Sequence, residues 1–290
     1  MGEIVGCGLL AHAPTIMLPL ETRLELNEGK EISLVTGLRR LRAEVLDALK
    51  ADTILIFDSH WATTVEFIVA GQSPRQGLYT SGELPRGMCQ IPYDIEGQPD
   101  LARAIAEDVV GLGTPCIAND DPCLPIYYPT INSNHYLKGP EKWVSLGVCQ
   151  TADTVDFLTV GEGVRRAIER TPGRFVLIAS GSMSHRFWPL RVLAQHEASD
   201  PIHISSATAR EADLERLGWF HAGDHARVID TMDAFLQHRP EAHFGHYLMM
   251  AAAVGGRACR AKGRLFSDYE NATGTSQVHV WFDRPETGWV

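Results

Sequence analysis

Twelve histidines occur in the 290-residue chain, and three of them stand at the same kind of place. EIVGCGLLAH closes an apolar run on His12, DTILIFDSHW carries His60 just beyond another, and FVLIASGSMSH leads from a third run to His185. Thr53 to Phe57 is apolar or β-branched throughout, as a strand buried on both faces requires, and the run is expected to stop at Asp58. In open α/β sheets, ligands bind beyond the carboxyl ends of the strands. Three histidines at such ends therefore predict one site assembled from several strands.

Neutral imidazole is a good ligand for Fe, Zn or Mn, and two imidazoles with one carboxylate leave positions open for substrate. Glu241 is the expected carboxylate. It follows Pro240, where the apolar run YLMMAAAV suggests a helix opening at Pro240. An ordinary first-turn acid facing the helix dipole, worth about 0.3–1 kcal/mol, is the competing explanation. His243 and His246 follow closely, as further ligands or as groups supporting the site. In SGSMSHRF, the small residues before His185 would let the backbone approach a ligand. An acid–base role for His185 suits that place better than serine hydrolysis, because the nucleophile elbow G-x-S-x-G is absent.

Composition narrows the class. The hydrophobic share of 44% and charged share of 21% suit a globular protein. With 36 acids against 26 bases the formal charge is −10, which argues against a grip on nucleic acid or anionic membrane. No apolar run approaches the roughly 20 residues of a membrane span. MGEIVGCG has no basic n-region, and six scattered cysteines without a CxxC pair suit buried free thiols, so a cytoplasmic protein is expected.

The elements that must position these residues alternate. Strands are expected at residues 3–10, 53–57, 65–70, 115–118, 143–148, 175–179 and 277–282, with helices at 33–50, 99–110, 155–169, two within 208–237, and 240–253. Residues 71–97 read as a long functional loop and 120–129, with three prolines, as irregular chain. Strand–helix alternation predicts an α/β fold, a single large domain over residues 1–290 with a mostly parallel central sheet flanked by helices.

LLAHAPTIM, DTILIFDSHW, GLYTSGELPRGMCQIPYDIEGQPDLA, IASGSMSHRF and GTSQVHVWF occur in this order along nearly the whole chain. Together they resemble the class III (LigB-type) extradiol ring-cleavage dioxygenases, most closely the 3,4-dihydroxyphenylacetate 2,3-dioxygenase branch. The resemblance implies Fe(II), or Mn(II) in its place, held by His12, His60 and Glu241, with His185 as acid–base. It implies O2 as co-substrate, a catechol opened to a muconic semialdehyde, and a homo-oligomer. Many relatives carry a second pocket histidine where this chain reads Ala118-Asn119-Asp120. Asn119 can hydrogen-bond a substrate oxygen but does not shuttle protons near neutral pH. With His243 and His246 it makes the expected substrate-contact set. Cleavage of an aminophenol or another catechol, a non-catalytic LigB-fold metal-binding or interaction protein, and a zinc hydrolase on the same three ligands are the competing readings.

Overall fold

Side chains alternate along the central strand. Leu55 and Phe57 pack on one face of the sheet, Ile54 and Ile56 on the other, and all four are fully buried. A neighbouring strand divides likewise, with Phe175, Leu177 and Ala179 opposite Val176 and Ile178. At about 1.5–3 kcal/mol per buried large side chain, this two-sided burial dominates the energetics. The structure is a computed structural model describing residues 1–290.

The strands are β1 Gly2–Leu10, β2 Thr53–Thr63, β3 Phe67–Ala70, β4 Arg75–Tyr79, β5 Ile91–Ile95, β6 Cys116–Asn119, β7 Lys142–Cys149, β8 Gly173–Ser180, β9 Gly263–Leu265, β10 Glu270–Ala272, β11 Thr275–Gln277 and β12 His279–Asp283. Eight of them form one sheet in the order β6-β3-β7-β2-β8-β1-β12-β9. Its centre, β7-β2-β8-β1, is parallel throughout, and antiparallel pairings join β3 on one side and β12 on the other. This is the α/β architecture expected. One face carries the helices Pro99–Gly111, Thr154–Arg170 and Gly245–Ala253, and the other carries the helical run from Ser33 to Leu49. Asp153 and Asp156 form a capping box that starts the Thr154–Arg170 helix. Gly161 in that helix lies where a Cβ would strike the Met249 carbonyl, so glycine lets two helices touch.

Four local expectations are corrected. β2 continues past Asp58 to Thr63, because Asp58 binds back to the amides of His60 (3.1 Å) and Trp61 (3.0 Å) and holds a bulge. The loop at residues 71–97 contains the β4–β5 hairpin. An unforeseen helix, Tyr128–Leu137, starts where the irregular proline-rich stretch ends, with Pro129 tolerated in its first turn. Its pattern is illegible because nearly every side is buried. The last helix starts at Gly245, not Pro240, since Ala242, His243 and Phe244 are left-handed (φ 46°, 55° and 61°). All six cysteines are free, with Cys89 and Cys123 exposed and the rest buried. No helix is long and apolar enough to cross a membrane.

Candidate metal centre

The sheet register brings the histidines together. Leu10 of β1 and Asp58 of β2 both pair with Ser180 of β8, so the three residues form one row across adjacent parallel strands. His12 and His60 each lie two residues beyond that row. Their ring centroids are 5.1 Å apart and nearly perpendicular. Two backbone anchors fix the approach: Asn132 donates to the His12 carbonyl at 2.9 Å, and Ala11 N–H donates to His279 Nδ1 at 3.1 Å.

Asp58 is the hub beneath His60. It is buried and, besides the two bulge amides, accepts from the Thr130 amide (3.2 Å) and hydroxyl (2.7 Å). The unforeseen Tyr128–Leu137 helix thus ties the ends of β1 and β2 through Asn132 and Thr130. Sequence reasoning passed over Asp58 as a strand terminator, although it lies inside the motif that drew attention to His60.

Glu241 reaches the same point from the opposite side of the chain. Its amide donates to the Met183 carbonyl at 3.0 Å, Pro240 bridges to Ser184, and the left-handed turn follows. The helix-dipole explanation fails, because the helix begins only at Gly245. Consecutive left-handed residues cost roughly 1–2 kcal/mol each, and such strain persists where surrounding contacts over-determine it. Here the turn aims a buried carboxylate at two imidazoles. Glu241 Oε1 lies 3.3 Å from both His12 Nε2 and His60 Nε2 and accepts from the Ser59 hydroxyl, while Oε2 accepts from the Ser182 amide at 2.6 Å.

One ligand atom from each of His12, His60 and Glu241 lies within 4.8 Å of the others, the spacing that a single divalent ion can bridge. The donor set fits a metal. His12 Nδ1 is engaged by the Ser180 hydroxyl at 3.0 Å, which leaves Nε2 free to face the carboxylate. Burial opposes charge on Glu241, yet the electrostatic influence of the neighbouring His12 and His185 and the hydrogen bonds of His12 and His60 outweigh it and hold the carboxyl well below its ordinary value. Burial likewise opposes charge on His60, but Glu241, Glu83 and Asp58 together raise its pKa.

His185 stands across the site, its Nε2 3.9 Å from Glu241 Oε2 and its amide donating to the Arg239 carbonyl at 2.9 Å. Burial lowers its pKa, aided by His60 and His12 and opposed by Glu241, so the neutral imidazole is favoured. A cavity of about 310 Å³ opens here between Ser59, His60, Ala62, Gln150, His185 and His243. A second, of about 780 Å³, continues past His185, Glu241 and His243 toward Arg239 and Val155. Both lie in the range of small-molecule sites.

The remaining expected contacts divide. His243 is exposed and lines both cavities. His246 is fully enclosed, with burial pushing its pKa down to about 4 and neither ring nitrogen hydrogen-bonded, behind Gly181, so it lines neither cavity. Asn119 lies at the sheet edge and accepts from the Asp121 amide at 2.9 Å; it too is absent from both cavity walls. Tyr128, at the start of the unforeseen helix, has its hydroxyl 2.6 Å from His60 Nε2.

An open α/β sheet on whose rim two histidines and a glutamate converge offers the donor set of the two-histidine–one-carboxylate kind. The chain belongs to the family of the catalytic LigB subunit of aromatic ring-opening dioxygenases, which matches residues 6–283. It is therefore an oxidoreductase of the extradiol dioxygenase class. The 3,4-dihydroxyphenylacetate 2,3-dioxygenase of Escherichia coli is 28% identical over 193 residues, 64% of this chain and 68% of that one. The 2-aminophenol 1,6-dioxygenase beta subunit of a Pseudomonas species is 24% identical over 269 residues, 87% of this chain and 86% of its own. An uncharacterized protein of Escherichia coli K12 with a crystal structure shares the fold, with a TM-score of 0.62 over 96% of this chain and 99% of its own at 15% identity.

Proposed function

We propose that this chain opens the ring of a substituted catechol, 3,4-dihydroxyphenylacetate or a near analogue, to a muconic semialdehyde at an Fe(II) site held by His12, His60 and Glu241. The observation that carries the reading is the meeting of His12 Nε2, His60 Nε2 and Glu241 Oε1 beside a cavity with His185 opposite. Ferrous iron supplies a common centre for substrate and O2, and the substrate itself supplies all four electrons. The residues supply the rest. Glu241, held by Ser59 and Ser182, keeps its orientation without reorganising. His185, favoured in its neutral form, takes the proton of a substrate hydroxyl and returns one to the product side. The cavity walls orient the ring so that the reacting atoms meet, a proximity effect that requires no new charge.

A second reading has its own support. The aminophenol relative aligns over 87% of this chain, further than the catechol relative does, and so 2-aminophenol belongs in any substrate panel. A single domain over residues 1–290, a homo-oligomer and a cytoplasmic location complete the proposal. The test is anaerobic loading with Fe(II), or Mn(II) in parallel, followed by catechols or 2-aminophenol with O2. A yellow ring-opened product is expected for at least one substrate. His12→Ala and His60→Ala should lose the metal, whereas His185→Ala should keep it and lose turnover by about 10²–10⁴-fold. Full turnover in the last variant removes His185 from the mechanism.

A further inference from the structure

The two histidines are steadied differently at Nδ1. His12 Nδ1 meets the buried hydroxyl of Ser180, fixed within the sheet. His60 Nδ1 instead faces Glu83 Oε2 at 3.5 Å. Glu83 lies on neither the sheet nor a helix but on the connection between β4 and β5, and its side chain is 50% exposed. Imidazoles that bind metal commonly donate their second N–H to a carboxylate, which fixes the tautomer and raises ligand basicity.

The connection is built to present this residue. Ser81 is buried, its amide donates to the Met88 carbonyl at 2.9 Å, and Met88 is fully buried. The Ser81 hydroxyl then accepts from the amides of Glu83 (3.2 Å) and Leu84 (3.1 Å), forming a tight turn. Between these anchors Gly82, Glu83, Pro85 and Arg86 are exposed, and Glu83 alone ion-pairs with a ligand histidine. Tyr128 closes the contact from the other side, since its hydroxyl reaches His60 Nε2 at 2.6 Å. With the proton on Nδ1 beside Glu83, the Nε2 lone pair is left for an ion seated between it and Glu241 Oε1.

We infer that Glu83 is a positioning residue for the metal centre, and that the β4–β5 connection is a latch whose closure tightens the grip of His60 on the ion. This rests on the reading of His12, His60 and Glu241 as metal ligands. The closed latch supplies the carboxylate that orders His60, and the open latch withdraws it. By linkage, the ion must favour the closed latch by the same factor by which closure favours the ion.

The test titrates the full-length chain with Mn(II), following the free ion by electron paramagnetic resonance. Glu83→Ala should weaken binding by about 10–100-fold, the usual effect of losing such a partner. Glu83→Gln, which retains an acceptor oxygen, should fall between it and the parent. Glu21→Gln, a charge removed from an exposed helix, should bind as the parent does. The second measurement is tryptic cleavage at Arg86–Gly87, identified by fragment mass. Mn(II) should slow it in the parent and leave the rate in Glu83→Ala unchanged. Binding by Glu83→Ala within twofold of the parent, or cleavage indifferent to Mn(II) in the parent, overturns the latch. Mn(II) binding by the parent that survives His12→Ala unweakened overturns instead the ligand assignment on which the latch rests.

Discussion

Asp58 carries more of the site than its place in the sequence suggests. Its two carboxylate oxygens accept from two amides of the β2 bulge and from the amide and hydroxyl of Thr130, so every partner is a donor. Asp58→Asn replaces one acceptor with an NH2 group that faces donors. The cost is that of leaving buried groups unsatisfied, about 1–3 kcal/mol each. Urea unfolding should register a loss of about that size, and metal content should fall because His60 loses its seat. Unchanged stability and metal content would show that the bulge holds without this carboxylate. His12, His60 and His185 stood out as residue types after apolar runs, and Glu241 as an acid just before one. Ser59, Ser180 and Ser182 were not, because serine near a turn has many ordinary uses and only its partner reveals its role.

Elements decide whether those residues meet. The helix Tyr128–Leu137 supplies Thr130 to Asp58 and Asn132 to the His12 carbonyl, yet its all-round burial erases the amphipathic period by which a helix is recognised. The strained turn at Ala242 to Phe244 was likewise hidden, since none of its residues is glycine. Gly181 offers a test at this scale. A Cβ there would lie 2.5 Å from His246 Nε2, whose ring is fully buried. Gly181→Ala should cost about 1–3 kcal/mol, as overpacking generally does, and should displace the β8 end that leads to His185. Thermal unfolding with a turnover assay checks this; an unaltered midpoint would mean that the ring moves freely.

The molecule as a whole responds to acid through a buried histidine that lines neither site cavity. His279 is fully buried, accepts from the Ala11 amide at Nδ1 and lies 3.0 Å from the Leu34 carbonyl at Nε2, an arrangement that suits only the neutral ring. Burial pushes its pKa down to about 4, against about 6.5 in an unfolded chain. Between these values the unfolded state binds a proton that the folded state refuses, so stability rises with pH. The contribution is complete above about pH 6.5 and is lost as pH falls toward 4, to the order of 3 kcal/mol. His279→Gln should make that acid limb shallower in urea midpoints measured from about pH 4 to 7, the buried His246 supplying part of what remains; an unchanged slope would assign the acid response elsewhere.

The sequence by itself determined the α/β architecture, the central buried strands and the histidines that follow their apolar runs, because burial and periodicity are written in local composition. The eight-stranded sheet gathers strands from residue 2 to residue 283, an order of pairing that no local pattern encodes. Only the tertiary structure decided that Glu241, 181 residues beyond His60, meets it at 3.3 Å, and that His246 and Asn119 lie off the cavity walls. Register across three parallel strands and one left-handed turn place those groups. Both are set by long-range packing, in which each residue's direction depends on neighbours distant in the chain.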